Sequence, residues 1–494
     1  MLSLVETIAT SHTPESLMAS LPFGDGRVLL RTGCFDLPHA RYSLVTAEPF
    51  LRFRAYGSRC ELRREHGPIE VQYGNPWRFM ESLLARFELL DELDLPFPLG
   101  GAFGYWGYDL RCFIESRLRL RAPDPEPLPD AWVGFHDSLV VFDHLGSQAH
   151  IVATGVCPDG SRDLANARRA VERWRRRLSM GEPSVTKPED RRRVGTRRDG
   201  RLPANVESSF GGEAFCAAVR KAQRYIRAGD IYQVNLAQRL QATVDTDPWD
   251  FWQQLAITSP APFAAYFDAG DFQIASVSPE LFLRFSGDAV VTRPIKGTRP
   301  RHTDPTLDAQ LSYELQTSPK EHAELLMITD LLRNDLGRVC DYGSVQVPDL
   351  MRLERYAQVQ HLVSTVQGRL RPGLTHLAAL EACFPGGSIT GAPKIRAMEI
   401  IDELEPVARG PYTGCAGYLG FNRESQLSIL IRTAVLRDGC AQFQAGAGIV
   451  ADSDPTAEYE ETLAKARAFL EVVERCQSAA AHSAAPPNSH SPRA

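Results

Sequence analysis

Residues 100–109, GGAFGYWGYD, constrain the fold more than any other stretch, because four glycines there are interleaved with four large rings. Glycine between aromatics implies close backbone approach, with the rings packed beside it. A tightly packed pair of strands is the simplest structure that satisfies both. The surroundings agree. Val28–Leu30, Tyr42–Val45 and Leu51–Arg54 are short strand-like runs separated by turns. Residues 160–178 read as a basic amphipathic helix. Glu213–Ala228 reads as a helix ended by Gly229-Asp230, and Ile231–Leu236 as a strand. Helices and strands then alternate to about Cys476.

A chain of 494 residues is too long for one small core and suggests a composite domain or two to three units. The polar, arginine-rich stretch 179–208 reads as a linker between an amino-terminal region, 1–178, and a second unit, 209–476. The low-complexity tail 477–494 is expected to be disordered. A net charge of −6 argues against nucleic acid as the partner of the local basic stretches. A small anionic ligand suits them better. The ten cysteines form no Cys-x-x-Cys pair, which points to free thiols in a reducing compartment. No apolar run approaches the length of a membrane helix and the amino terminus lacks a signal pattern, so a soluble, cytoplasmic protein is expected.

Arg293–Arg301, RPIKGTRPR, is the most chemically loaded segment. Pro294 and Gly297 bracket Lys296 with stiff and special backbone. The segment is either a solvated basic turn or a site where neighbouring arginines ease the loss of the lysine proton. A free amine would be a nucleophile. Ser318-Pro319-Lys320-Glu321 carries a helix-start pattern. On the helix that follows, Glu324 shares a face with Ile328, Leu331 and Asp335. A carboxylate there needs a cation, either an arginine such as Arg333 or a metal. Glu458, Glu460 and Glu461 form a second acidic group, in which Glu461 is spaced for an ion pair with Lys465. Arg432 interrupts the apolar run Leu427–Leu436, read as one strand, and its guanidinium requires an anion. Phe384–Pro393 and Ala445–Gly448 are glycine-rich and offer backbone N–H groups. Tyr412–Gly417 lacks the spacing of a nucleophile elbow, which discounts Cys415 as a nucleophile.

Taken together, RPIKGTRPR, AELLMITDLLRNDLGRV, VQHLVSTV, FPGGSITGAPKIRAMEII, YTGCAGYLG, IRTAV and AGAGIVADSDPTAEYEET resemble, in this order, the motifs of the chorismate-utilising enzymes. The likeness is strong over 208–475 and weaker over 25–175. It implies an α+β fold of two large antiparallel sheets packed orthogonally with helices outside, and 209–476 as the chorismate-binding catalytic unit. It implies Mg²⁺ held by Glu324 and Glu461 with Glu458 beside them. Glu280 matches the acid that protonates the leaving 4-hydroxyl. His361 and Thr390 match positions around the ring, and Tyr412, Arg432 and Gly448 match positions that grip carboxylates.

Two positions separate the family's branches. Water-adding members resemble this chain but carry a lysine base where Gln233 stands. Anthranilate synthase component I carries alanine where Lys296 stands. Lysine there marks aminodeoxychorismate synthase component I, so the resemblance implies 4-amination of chorismate through a covalent Lys296 intermediate, toward 4-aminobenzoate and folate. Anthranilate synthase component I is the alternative, and a non-catalytic chorismate- or tryptophan-binding module a third reading. With no glutaminase segment in the chain, ammonia is expected from a separate glutamine amidotransferase subunit. Thr32, His39, Ala40, Arg41, Tyr42, Pro262, Phe263 and Ala264 match a tryptophan pocket of the family, with a sequence that departs from it.

Overall fold

The computed structural model describes residues 2–24, 26–33, 40–65, 67–90, 93–118, 128–180, 202–356 and 359–483, the side chains of 479–483 excepted. Most of the 179–208 linker and the end of the tail lie outside these residues. Within them, two large sheets dominate, and every strand pairing is antiparallel.

Both sheets draw strands from both ends of the chain. In the first, Leu4–Ile8, Gln148–Ala153, Ser138–Asp143, Tyr42–Thr46 and Arg27–Arg31 lead to Phe263–Asp268, Gln273–Ser278, Thr433–Arg437, Cys440–Ile449 and Gln233–Thr243. In the second, Ile295–Pro300, Val359–Arg369, Ala289–Arg293, Leu281–Ser286, Glu424–Ile429 and Cys415–Gly420 continue into Gly101–Trp106, Ala131–His136 and Leu51–Tyr56.

Side-chain alternation along a strand sends neighbours to opposite faces. In the first sheet Val28, Leu44, Val141, Val152 and Ala265 enter a core shared with Phe53, Phe103, Phe135 and Leu283 of the second sheet. The adjacent Leu29, Val45, Val140, Ile151 and Ala264 enter another core, beneath helices Pro14–Ser20, Leu164–Ser179, Pro248–Thr258 and Pro455–Ser483. Both faces of these strands are therefore dry, which is why they read as unbroken apolar runs rather than as alternating ones.

The glycine-aromatic stretch forms the strand Gly101–Trp106, wedged between Cys415–Gly420 and Ala131–His136. Gly104 faces Gly417 across the pairing, and a Cβ on Gly104 would lie 2.0 Å from the Trp132 carbonyl oxygen. Phe103 stacks on Tyr418 at 5.6 Å. The expected close approach beside packed rings is present.

Three local expectations change. Leu427–Leu436 is not one strand: Glu424–Ile429 belongs to the second sheet and Thr433–Arg437 to the first. The turn between them holds Arg432 at φ +51°. Val206–Ser208, at the end of the expected linker, is a strand paired with Leu240–Ala242. The last helix runs to Ser483, into the expected tail, through alanine-rich sequence with high helix propensity. Among the described residues, no helix is long and apolar enough to cross a membrane, and all nine described cysteines are free.

Candidate active site

Two of the corners at which the chain changes sheets build the site. Ser278-Pro279-Glu280 joins Gln273–Ser278 of the first sheet to Leu281–Ser286 of the second. Leu430–Arg432 makes the reverse crossing. Backbone hydrogen bonds tie the two together: Ile429 N–H donates to the Glu280 carbonyl at 3.1 Å, and Val277 N–H to the Arg432 carbonyl at 3.1 Å. Thr413 and Gly414, next to Tyr412, bond to Leu430 at 2.9 Å each.

Glu280 is 6 % exposed, and burial pushes its carboxyl up to about 7, against a hydrogen bond from Ser388 and the charges of Lys296 and Lys465. A carboxyl so placed holds a proton near neutrality and can deliver it. His361, on the Val359–Arg369 strand, hydrogen-bonds Thr298 through Nδ1 at 2.9 Å. Burial, and then the positive charge of Arg432, lower it to about 4, so the ring is neutral. Burial also lowers the Arg432 guanidinium, which has no carboxylate partner among the described residues. A half-buried guanidinium without a carboxylate partner is a receptor for an anion.

Lys296 lies on the edge strand Ile295–Pro300, with Gly297 beside it at φ +68°. A Cβ on Gly297 would meet Leu315 Cδ1 at 2.5 Å, so only glycine fits. The Lys296 ammonium is 4.0 Å from Glu324 Oε2, and Glu280, Glu324 and Glu461 all feel its charge. The expected cationic neighbourhood is absent. Arg293 pairs with Glu354, Arg299 with Glu321 and Arg301 with Asp308, so the three arginines are neutralised by their own acids. Lys296 therefore faces the Glu324 carboxylate rather than a cluster of arginines.

Glu324 takes Lys296 rather than an arginine; Arg333 pairs with Asp330. Burial raises the Glu324 carboxyl. Burial likewise raises Glu458, which accepts from Ser453 at 2.7 Å and leaves Oε2 without a hydrogen bond. Burial acts to raise Glu461 too, but Lys465, 2.7 Å away, outweighs it and holds the carboxyl low. Among the described residues, no three acidic, His or Cys groups are gathered closely enough to cage a metal alone. The orphaned Glu458 Oε2 and the mutual repulsion of these acids nonetheless suit Mg²⁺, which takes one or two carboxylates and completes its shell with water and substrate oxygens.

Of the remaining positions, Tyr412 is buried, which pushes its phenol up to about 12. Gly448 pairs with Asn235 across the sheet. A Cβ on Gly448 would fall 2.4 Å from Gln233 Nε2 and 3.9 Å from Lys296 Nζ, so Gln233, Gly448 and Lys296 meet at one point. Thr390 is the residue least free to act. It is fully buried, and its hydroxyl lies within hydrogen-bond reach of the Gly386 and Gly387 carbonyls, at 3.1 and 3.3 Å. Ser388 and Thr298 are partners given no role in the motif reading, although both lie within its motifs. Cys415 is buried, which pushes its thiol far up and removes it as a nucleophile.

Away from these residues, Thr32, Ala40, Tyr42, Pro262, Phe263 and Ala264 line one cavity with Arg284 and Tyr418. Arg41 is not in its wall; it pairs with Asp143. His39 lies outside the described residues.

Two antiparallel sheets joined at a carboxylate-lined corner define a chorismate-utilising fold. The chain belongs to the chorismate binding enzyme family, whose pattern matches residues 34–471. It is similar to anthranilate synthase component 1 of Thermus thermophilus, 45 % identical over 86 % of each chain. It also resembles that of Pseudomonas aeruginosa, 40 % identical over 95 % of this chain and 94 % of that one. The crystal structure of anthranilate synthase component I from Streptococcus pneumoniae matches with a TM-score of 0.75 at 32 % identity, covering 88 % of this chain and 93 % of that one. The menaquinone-specific isochorismate synthase of Escherichia coli, at 17 % identity and a TM-score of 0.68, shares the fold.

These relatives overturn the expectation of an aminodeoxychorismate synthase. That expectation rested on Lys296 alone, whereas the likeness to anthranilate synthases spans nearly the whole chain. The folate and 4-aminobenzoate assignments fall with it.

Proposed function

We propose that this chain is an anthranilate synthase component I, converting chorismate and ammonia to anthranilate, pyruvate and water. The observation that carries the reading is the near full-length similarity to chains of that name. Gln233 supports it, because an amide is a poor base for activating water and leaves ammonia as the nucleophile.

In this reading Arg432, Tyr412 and the Gly448 backbone hold the substrate carboxylates. Glu324 and Glu461, with Glu458 alongside, would hold Mg²⁺, which would supply charge stabilisation to the substrate. Ammonia forms a bond to ring carbon 2 while the ring π electrons shift and the carbon 4–oxygen bond breaks. The Glu280 proton goes to the departing hydroxyl, which leaves as water. Neutral His361 is able to accept the carbon 2 proton, and the enolpyruvyl group then departs from carbon 3 as pyruvate. Lys296 acts as a fixed cation beside Glu324. Ammonia comes from a separate glutamine amidotransferase subunit. The cavity lined by Thr32, Tyr42 and Phe263 is the place for tryptophan.

The test incubates the purified chain with chorismate, Mg²⁺ and ammonium, with no lyase added. Fluorescent anthranilate accumulates, and intact-protein mass spectrometry finds no adduct on Lys296. A 4-amino product, or a chorismate-derived mass on that lysine, sinks the reading.

A further inference from the structure

We infer that Arg409 is a positioning residue that sets the substrate-binding wall. This rests on the chorismate reading of the same site. Arg409 is 2 % exposed and lies outside the motif residues, yet all five of its N–H donors are used. Nε and Nη2 grip Glu405 at 2.9 and 2.7 Å. The second Nη2 donor reaches the Asn235 carbonyl at 2.7 Å. Nη1 donates to the Ile389 carbonyl at 3.0 Å and to Thr413 Oγ1 at 3.1 Å.

Each target adjoins a residue of the site. Ile389 precedes Thr390, and Thr413 follows Tyr412. Asn235 pairs with Gly448 and donates its own N–H to the Thr390 carbonyl at 2.8 Å. One guanidinium thus sets the spacing of three segments that have no sequence contiguity. Glu405 supplies the balancing charge and also accepts from Ala237 N–H at 2.9 Å.

The faces of the fork are held as firmly as its edges. The Tyr412 ring centroid lies 5.6 Å from the Arg409 guanidinium carbon and that of Tyr108 lies 4.8 Å from it. The other cation on Tyr108 is Arg111, at 4.3 Å, which bonds Asp109 at 2.9 Å and Asp402. The glycine-aromatic motif of the amino-terminal region therefore reaches the substrate wall through Tyr108. Lysine cannot replace this fork, having three donors on a point charge where five diverging ones are needed.

The test compares full-length wild type with Arg409→Lys. Chorismate affinity is measured by calorimetry with Mg²⁺ and no ammonium, and KM and kcat with ammonium present. Arg409→Lys weakens chorismate binding about tenfold or more, the loss expected for one or two positioned hydrogen bonds, and raises KM with kcat within about threefold. A merely structural role would lower the melting temperature and leave the affinity of the folded protein unmoved. An affinity within twofold of wild type overturns the proposal. Should Arg409→Lys not fold, Thr413→Val, which removes the bond from Arg409 and the hydroxyl bond to the Tyr412 carbonyl at 2.6 Å, carries the test. It weakens binding about two- to fivefold, and unchanged affinity overturns the proposal equally. Absence of anthranilate from wild type would sink the reaction assignment while leaving the affinity comparison intact.

Discussion

Glu280 is kept protonated by its surroundings, and that condition can be read out as stability. Its carboxyl sits at about 7 in the folded chain against an ordinary 4.5. Between those values the native state holds a proton that the unfolded chain has released, so stability falls as pH rises through the window. Glu280→Gln removes the titration. Relative to wild type it gains up to about 3 kcal/mol at pH 8 and almost nothing at pH 4, measured as melting temperatures across pH. The same variant loses most turnover at every pH. Equal stability differences at pH 4 and pH 8 would show that burial does not raise the carboxyl. The acid's residue type and its place after Ser278-Pro279 were legible in the chain. Its protonation was not, because desolvation depends on strands distant in sequence that bury it.

At the scale of elements, the strand Gly101–Trp106 is the tightest joint. With Trp132 O 2.0 Å from the position of a Cβ on Gly104, and backbone unable to swing aside, Gly104→Ala costs about 1–3 kcal/mol. Gly337, at the end of helix Pro319–Gly337, has open space around its Cα, so Gly337→Ala gains about 0.5–1 kcal/mol. Urea unfolding of the pair reads the difference, and equal midpoints would deny the close approach. The interleaved glycines and rings announced this joint in advance. Helix starts were equally plain: Ser318 caps Glu321 N–H as its Ser-Pro-x-Glu pattern requires. The break at Arg432 was hidden, because an apolar run with one arginine reads the same whether it forms one strand or changes sheets.

For the whole molecule, the decisive feature is that each sheet is completed by the other end of the chain. Arg27, near the start, forms a buried pair with Asp268 at 2.6 Å, and Cys415–Gly420 rests against Gly101–Trp106. A fragment beginning at residue 209 would expose the pairing edges and one face of both cores. Expressed alone, it binds a hydrophobic dye and unfolds without a sharp transition, whereas the full chain shows cooperative melting. A fragment with a sharp melting curve and no dye binding would show that the two regions are energetically independent.

The order of the motifs, the identities of the acids and the rigid backbone around Lys296 followed from sequence alone, since each is a local matter of residue type and spacing. Tertiary structure decided which charges Lys296 meets. Its neighbouring arginines turn to their own carboxylates, and Glu324, on a different element, takes the ammonium. Charge strength inside a protein depends on distance and desolvation, and those are set by the folded packing rather than by position along the chain.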